Sequence, residues 1–209
     1  DHVGQGARQV GSTFKPFVYA TAIEQLGMSP CDTILDGPFM IRKGRHHVTE
    51  DWEPRNSNNQ YRGMVTLKQG LANSINTISA KLIDKTGPEA VIELTHKLGV
   101  KSDIPAQPSI ALGAVDITVQ DMVAAYGTFA NQGVYVKPQF ISRIEDKSGV
   151  VIYEPIPESH DVLNKDIAFA VIKLLEGVTE SGSGARLRTP PPPPPPPPPP
   201  RYPYMFKNP

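Results

Sequence analysis

The sequence predicts an α+β fold weighted toward helix. Five stretches space apolar residues at helical intervals between capping residues and glycine stops, and one alternates around a turn in the manner of a β-hairpin. The chain has 209 residues, 39% of them apolar, enough for one large or two small domains with a real core.

Residues 12–27, "STFKPFVYATAIEQLG", open at Ser12, a good N-cap residue, and stop at Gly27. Between Phe14 and Ile23 the only charge is Lys15, so this helix reads as buried nearly all round. Residues 66–84, "TLKQGLANSINTISAKLID", set Thr66 and Gln69 at capping-box spacing and Leu67, Leu71, Ile75, Ile78 and Leu82 at helical intervals. Asn73, Ser74 and Asn76 interrupt that run with residues that favour caps and turns, so it reads as a helical hairpin with a polar kink or as a broken helix in which Asn76 can cap a new helix from Thr77. "GPEAVIELTHKLG" (87–99) and "TVQDMVAAYGTFANQG" (118–133) are amphipathic helices, each ended by glycine. "QFISRIEDKSGVVIYE" (139–154) is the hairpin, turning at Lys147-Ser148-Gly149. "NKDIAFAVIKLLEGVTE" (164–180) is the last helix, and "SGSGARLRT" after it reads as flexible. Pro190–Pro200, eleven in a row, can only form polyproline II, about 34 Å long at ~3.1 Å per residue, and read as a spacer or artefact.

Composition excludes several functions. Lys+Arg and Asp+Glu both total 21, with no basic stripe, which argues against nucleic acid. Cys31 is the single cysteine, so there is neither a disulfide framework nor a CxxC pattern. His2, His46, His47, His96 and His160 have no spacing that pairs metal ligands on a helix and read as surface residues; neither metal nor cofactor is expected. No apolar run nears the ~18 residues that cross a bilayer, and "DHVGQGARQV" lacks the regions of a signal peptide, so any membrane anchor is expected outside this sequence.

Two short stretches carry candidate chemistry. In "GSTFKPF", Ser12 and Lys15 lie three apart at a helix start, on one face, so hydroxyl and amine can meet. Phe14, Phe17, Val18 and Tyr19 would desolvate the ammonium, and the helix N-terminus repels positive charge; both lower a lysine pKa and suit Lys15 to act as base toward a serine nucleophile. A helix cap with a snorkelling lysine is the plainer alternative. In "ANSINTIS", Ser74 and Asn76 would point about 200° apart on a regular helix, so they can serve one cleft only if the backbone breaks between them.

"ARQVGSTFKPFVYATAIEQL", "WEPRNSNNQYRGMVTLKQGLANSINTISAKL" and "SIALGAVDITVQDMVAAYGTFANQGVYVKPQFI", in that order, resemble the transpeptidase domain of class A penicillin-binding proteins. The resemblance covers nearly the whole chain apart from the proline run; Val10 departs from the family's more usual proline. It implies that Ser12 attacks the D-alanyl-D-alanine carbonyl of peptidoglycan stem peptides, with Lys15 taking its proton. Ser74 would relay a proton to the departing amine, Asn76 would hold Lys15 and the substrate amide, and Trp52 would line the cleft. β-Lactam antibiotics would acylate the same serine. The implied setting is extracytoplasmic, in a membrane-anchored protein, with other cell-wall synthesis proteins as possible partners.

The family's fold implies a central antiparallel sheet. Residues 1–189 would supply its helical side plus a β-hairpin, with 201–209 leading toward a strand bearing a K-T-G motif beyond Pro209; the class's usual glycosyltransferase domain is also absent from this sequence. Lys85-Thr86-Gly87 spells that motif but is expected to be a helix-to-helix turn, because a helical run precedes it and Pro88-Glu89 opens the next helix. The 209 residues alone are therefore expected to be inactive. Two other readings stay open: a β-lactam sensor or serine β-lactamase on this scaffold, and a noncatalytic scaffold module.

Overall fold

The structure, a computed structural model, describes residues 1–188; the proline run and residues 201–209 lie outside the described residues. After β1 (Arg8–Gln9), residues Gly11–Phe14 form a 3₁₀ turn that leads into α1 (Lys15–Leu26), which Gly27 ends in the left-handed region at φ 63°. Ser12 therefore lies inside the 3₁₀ turn and does not cap a helix, contrary to the sequence expectation; neither the turn nor α1 has a side-chain cap. From Lys15 to Ile23 every residue of α1 is buried. With ~2 kcal/mol for each large apolar side chain taken fully from water, Phe17, Val18 and Tyr19 compensate for the mediocre helix propensity of Val18 and Thr21.

Strands β2 (Thr33–Asp36) and β3 (Gly63–Thr66) pair antiparallel, Thr33 opposite Thr66 and Asp36 opposite Gly63. Thr66 then caps α2 (Leu67–Ala72) through the predicted capping box. The predicted break follows, and its cause is a Schellman motif. Ile75 N–H donates to Gly70 O and Ser74 N–H to Leu71 O, both at 2.9 Å, and Ser74 takes the left-handed position at φ 53° where glycine is usual. Helix α3 (Asn76–Thr86) starts at once, with Ile75 as N-cap; Asn76 is its first residue and not its cap, because its side chain is engaged elsewhere. Lys85 and Thr86 finish α3, and Gly87 (φ 85°) turns the chain into α4 (Pro88–Lys97), so this K-T-G is the helix-to-helix turn expected.

A further 3₁₀ turn, Pro108–Leu112, precedes β4 (Asp116–Ile117), which pairs with β1; α5 (Val119–Ala130) follows. Next come β5 (Val134–Val136), β6 (Ile144–Glu145), β7 (Val151–Tyr153) and β8 (Ser159–Asp161), with β5 paired to β8 and β6 to β7. The predicted hairpin is the β6–β7 pair, narrower than 139–154. The other three pairs were not expected; strands of two to four residues are too short for alternation to register. Among the described residues every sheet is two-stranded, in keeping with a partial α+β fold. Helix α6 (Lys165–Glu180) closes over α1, α2 and α5. The segment after it is less free than predicted. Ala185–Arg188 form a 3₁₀ turn, Ser183 N–H donates to Ala72 O at 3.0 Å, and Gly182 lies so close that a Cβ there would come within 2.1 Å of that oxygen.

Candidate active site

Core packing positions the site. α1, buried against α3, α4 and α6, fixes Lys15, and the Schellman turn between α2 and α3 brings Ser74 and Asn76 to it. Lys15 is 1% exposed, and its Nζ lies 2.6 Å from Ser74 O, 2.9 Å from Ser74 Oγ and 2.7 Å from Asn76 Oδ1. Ser74 Oγ in turn lies 2.9 Å from Ser12 Oγ, which faces solvent. Ser12 thus meets Ser74, and its link to Lys15 runs through that hydroxyl rather than directly, because three acceptors of the 74–76 segment draw Nζ to themselves. Asn76 divides its amide: Oδ1 accepts from Lys15 and Nδ2 donates to Arg55 O at 2.8 Å.

Burial lowers the Lys15 pKa from 10.5 to about 8, since the ammonium is desolvated and its partners are neutral oxygens. At pH 7 about a tenth of the molecules would carry it neutral. Proton counting then sets the direction of the chain. Ser74 O and Asn76 Oδ1 can only accept, so a neutral amine spends both its N–H groups on them and turns its lone pair to Ser74 Oγ. Ser74 O–H can then donate to Nζ and Ser12 O–H to Ser74 Oγ, a continuous path from Ser12 to that amine.

Ser12, Lys15, Leu71, Ser74, Tyr126 and Val178 line a mainly apolar cavity of about 370 Å³. Tyr126 donates its hydroxyl to Thr13 O at 2.7 Å, holding the turn that carries Ser12; burial raises its pKa to about 12, keeping that donor protonated. Trp52 is not brought to this group. Its backbone pairs with Ile41, and it lines a separate cavity of about 220 Å³ with Glu50 and Gln107. Sequence reasoning missed Tyr126, Arg55 and Asn56; the last two stood inside the quoted "WEPRN", but no local pattern announces contacts across the fold. Nor is His46 a surface residue: half-buried, its Nε2 is 3.1 Å from Asp84 Oδ1. Among the described residues no group of three His, Cys, Asp or Glu could hold a metal ion, and no helix is long and apolar enough to cross a membrane.

Residues 3–191 match the family described as the penicillin binding protein transpeptidase domain. The chain is 39% identical over 182 residues to "Penicillin-binding protein 1A" of Aquifex aeolicus (strain VF5), covering 86% of this chain and 24% of that protein. It spans about a quarter or less of the curated relatives it matches. Among solved structures, penicillin-binding protein 1A from Haemophilus influenzae superposes with TM-score 0.82 at 26% identity, covering 89% of this chain and 33% of that one. The fold also recurs in the PonA1 protein from Mycobacterium tuberculosis in complex with penicillin V, at TM-score 0.71 and 24% identity, covering 84% of this chain and 48% of that one.

Proposed function

Because this chain belongs to the penicillin-binding protein transpeptidase domain family, we propose that it is the part of a serine D,D-transpeptidase that carries the nucleophile and its base. Ser12 attacks the carbonyl between the last two D-alanines of a peptidoglycan stem peptide. Its proton passes along Ser74 toward neutral Lys15, and returns through Ser74 to the departing D-alanine amine. An amine of a neighbouring stem then takes the acyl group, cross-linking the wall. β-Lactams acylate the same serine. This chemistry belongs outside the cytoplasmic membrane, where the wall is built, in a protein held to that membrane and working beside other cell-wall synthesis proteins; no metal or cofactor takes part.

The observation that supports this best is the hydrogen-bonded chain Ser12–Ser74–Lys15–Asn76, with a buried amine of lowered pKa at its end. The test is labelling of the full-length polypeptide with a fluorescent penicillin. Ser12→Ala should abolish labelling, and Lys15→Arg should slow it by about 1,000-fold, since arginine does not deprotonate. Persistent labelling of Ser12→Ala would refute the assignment.

A further inference from the structure

Asn76 holds Lys15 from the first position of a helix whose N-cap, Ile75, has no side chain able to satisfy the helix's free N–H groups. A residue 20 positions earlier does so instead: Asn56 Oδ1 accepts from Asn76 N at 3.0 Å and from Thr77 N at 3.3 Å. The other half of the Asn56 amide is committed, Nδ2 donating to Asp36 Oδ1 at 2.8 Å and Gln60 O at 2.9 Å. Asp36 sits at 1% exposure, and its oxygens also accept from Thr77 Oγ1 at 2.6 Å and Arg62 N at 2.9 Å. Every partner of this carboxylate is a donor, so the Asn56 amide cannot flip: its nitrogen must face Asp36, which leaves its oxygen toward α3.

We infer that Asp36 and Asn56 form a positioning lock that caps α3 from outside and thereby sets Asn76 against Lys15. Neither touches Ser12, Ser74 or Lys15; both act through Asn76. Arg55, next in the chain to Asn56, completes the lock, because its carbonyl receives Asn76 Nδ2. One segment thus fixes both the backbone and the side chain of Asn76, and β2 ties it through Asp36 to the sheet that leads into α2. The inference rests on the proposed role of Asn76 in catalysis, but half of its test does not.

The first measurement is amide hydrogen exchange on the full-length polypeptide. In Asn56→Ala the amides of Asn76 and Thr77 should exchange at least ~10-fold faster, while those in the middle of α3 are unchanged. The second is the rate of acylation by a fluorescent penicillin in a double-mutant cycle. Asn56→Ala should slow acylation about 10-fold to 100-fold, and Asn56→Ala with Asn76→Ala should be no slower than Asn76→Ala alone, because one acts through the other. Asp36→Asn is the second variant if Asn56→Ala does not fold. Its new amide must set a donor against either Arg62 N–H or Asn56 Nδ2, so both readouts should move in the same direction by a smaller factor. Unchanged exchange at Asn76 and Thr77, or losses that add in the cycle, would overturn the lock. The exchange result stands whether or not Ser12 proves to be the nucleophile.

Discussion

Lys15 contributes to this protein in opposite senses as the proposed base and as a buried group. Its folded pKa of about 8 lies below the ordinary 10.5, so the folded state binds the proton less tightly than the unfolded chain does. The cost of a buried ammonium is fully present below about pH 8, and stability rises as pH climbs from about 8 to about 10.5. Denaturant midpoints for wild type minus Lys15→Met should show that rise, and a flat difference would contradict it. Acylation of the full-length polypeptide should likewise increase tenfold per pH unit below about 8 and level off above it. Ser74 couples chemistry to backbone in another way. A non-glycine residue in the left-handed region costs roughly 1–2 kcal/mol, so Ser74→Gly should be more stable than Ser74→Ala by about 1 kcal/mol, although both lose the hydroxyl and should acylate ~100-fold more slowly. Equal stability of the two variants in urea would show that the turn carries no such strain.

At the scale of elements, the site depends on how segments end and how closely they approach. Thr66 starts α2 with a two-way cap, its Oγ1 accepting from Gln69 N and Gln69 Oε1 accepting from Thr66 N. Thr66→Ala should cost about 1 kcal/mol, measured by urea denaturation. Gly113 is held more tightly. At φ 76°, a Cβ there would lie 1.9 Å from Gly11 O, and Gly11 N–H donates to Gly113 O at 3.1 Å. That contact supports the 3₁₀ turn bearing Ser12, so Gly113→Ala should destabilise by about 2 kcal/mol or more and slow acylation as well. Of these details the capping box was legible from Thr66 and Gln69, whose spacing is itself the interaction. The Gly11–Gly113 approach was not, since nothing local in "ALGAVD" identifies what it packs against. The break at "NSIN" lay between the two cases: its polar residues announced a turn, but the left-handed Ser74 and the capping of α3 from Asn56 depend on the fold.

Over the whole molecule, the described residues form a helical body with only two-stranded sheets, and no strand residue lines the cavity at Ser12. An acylating site needs donors aimed at the developing oxyanion and a backbone edge for the substrate. A polypeptide of residues 1–188 alone should therefore label with fluorescent penicillin at least ~100-fold more slowly than the full-length polypeptide, and its stoichiometric labelling would refute this. The sequence by itself determined the helices, the break at "NSIN" and the turn at Lys85-Thr86-Gly87, because periodicity, caps and turn signals are properties of neighbours along the chain; its resemblance to a family singled out Ser12, Lys15, Ser74 and Asn76 as the candidates. The tertiary structure alone decided that Ser12 reaches Lys15 through Ser74, that Trp52 lines a different cavity, and that Asp36 and Asn56 hold Asn76 in place. Those arrangements join residues 20 to 62 positions apart, and hydrogen bonds over such separations exist only once the buried α1 has gathered the other helices around it.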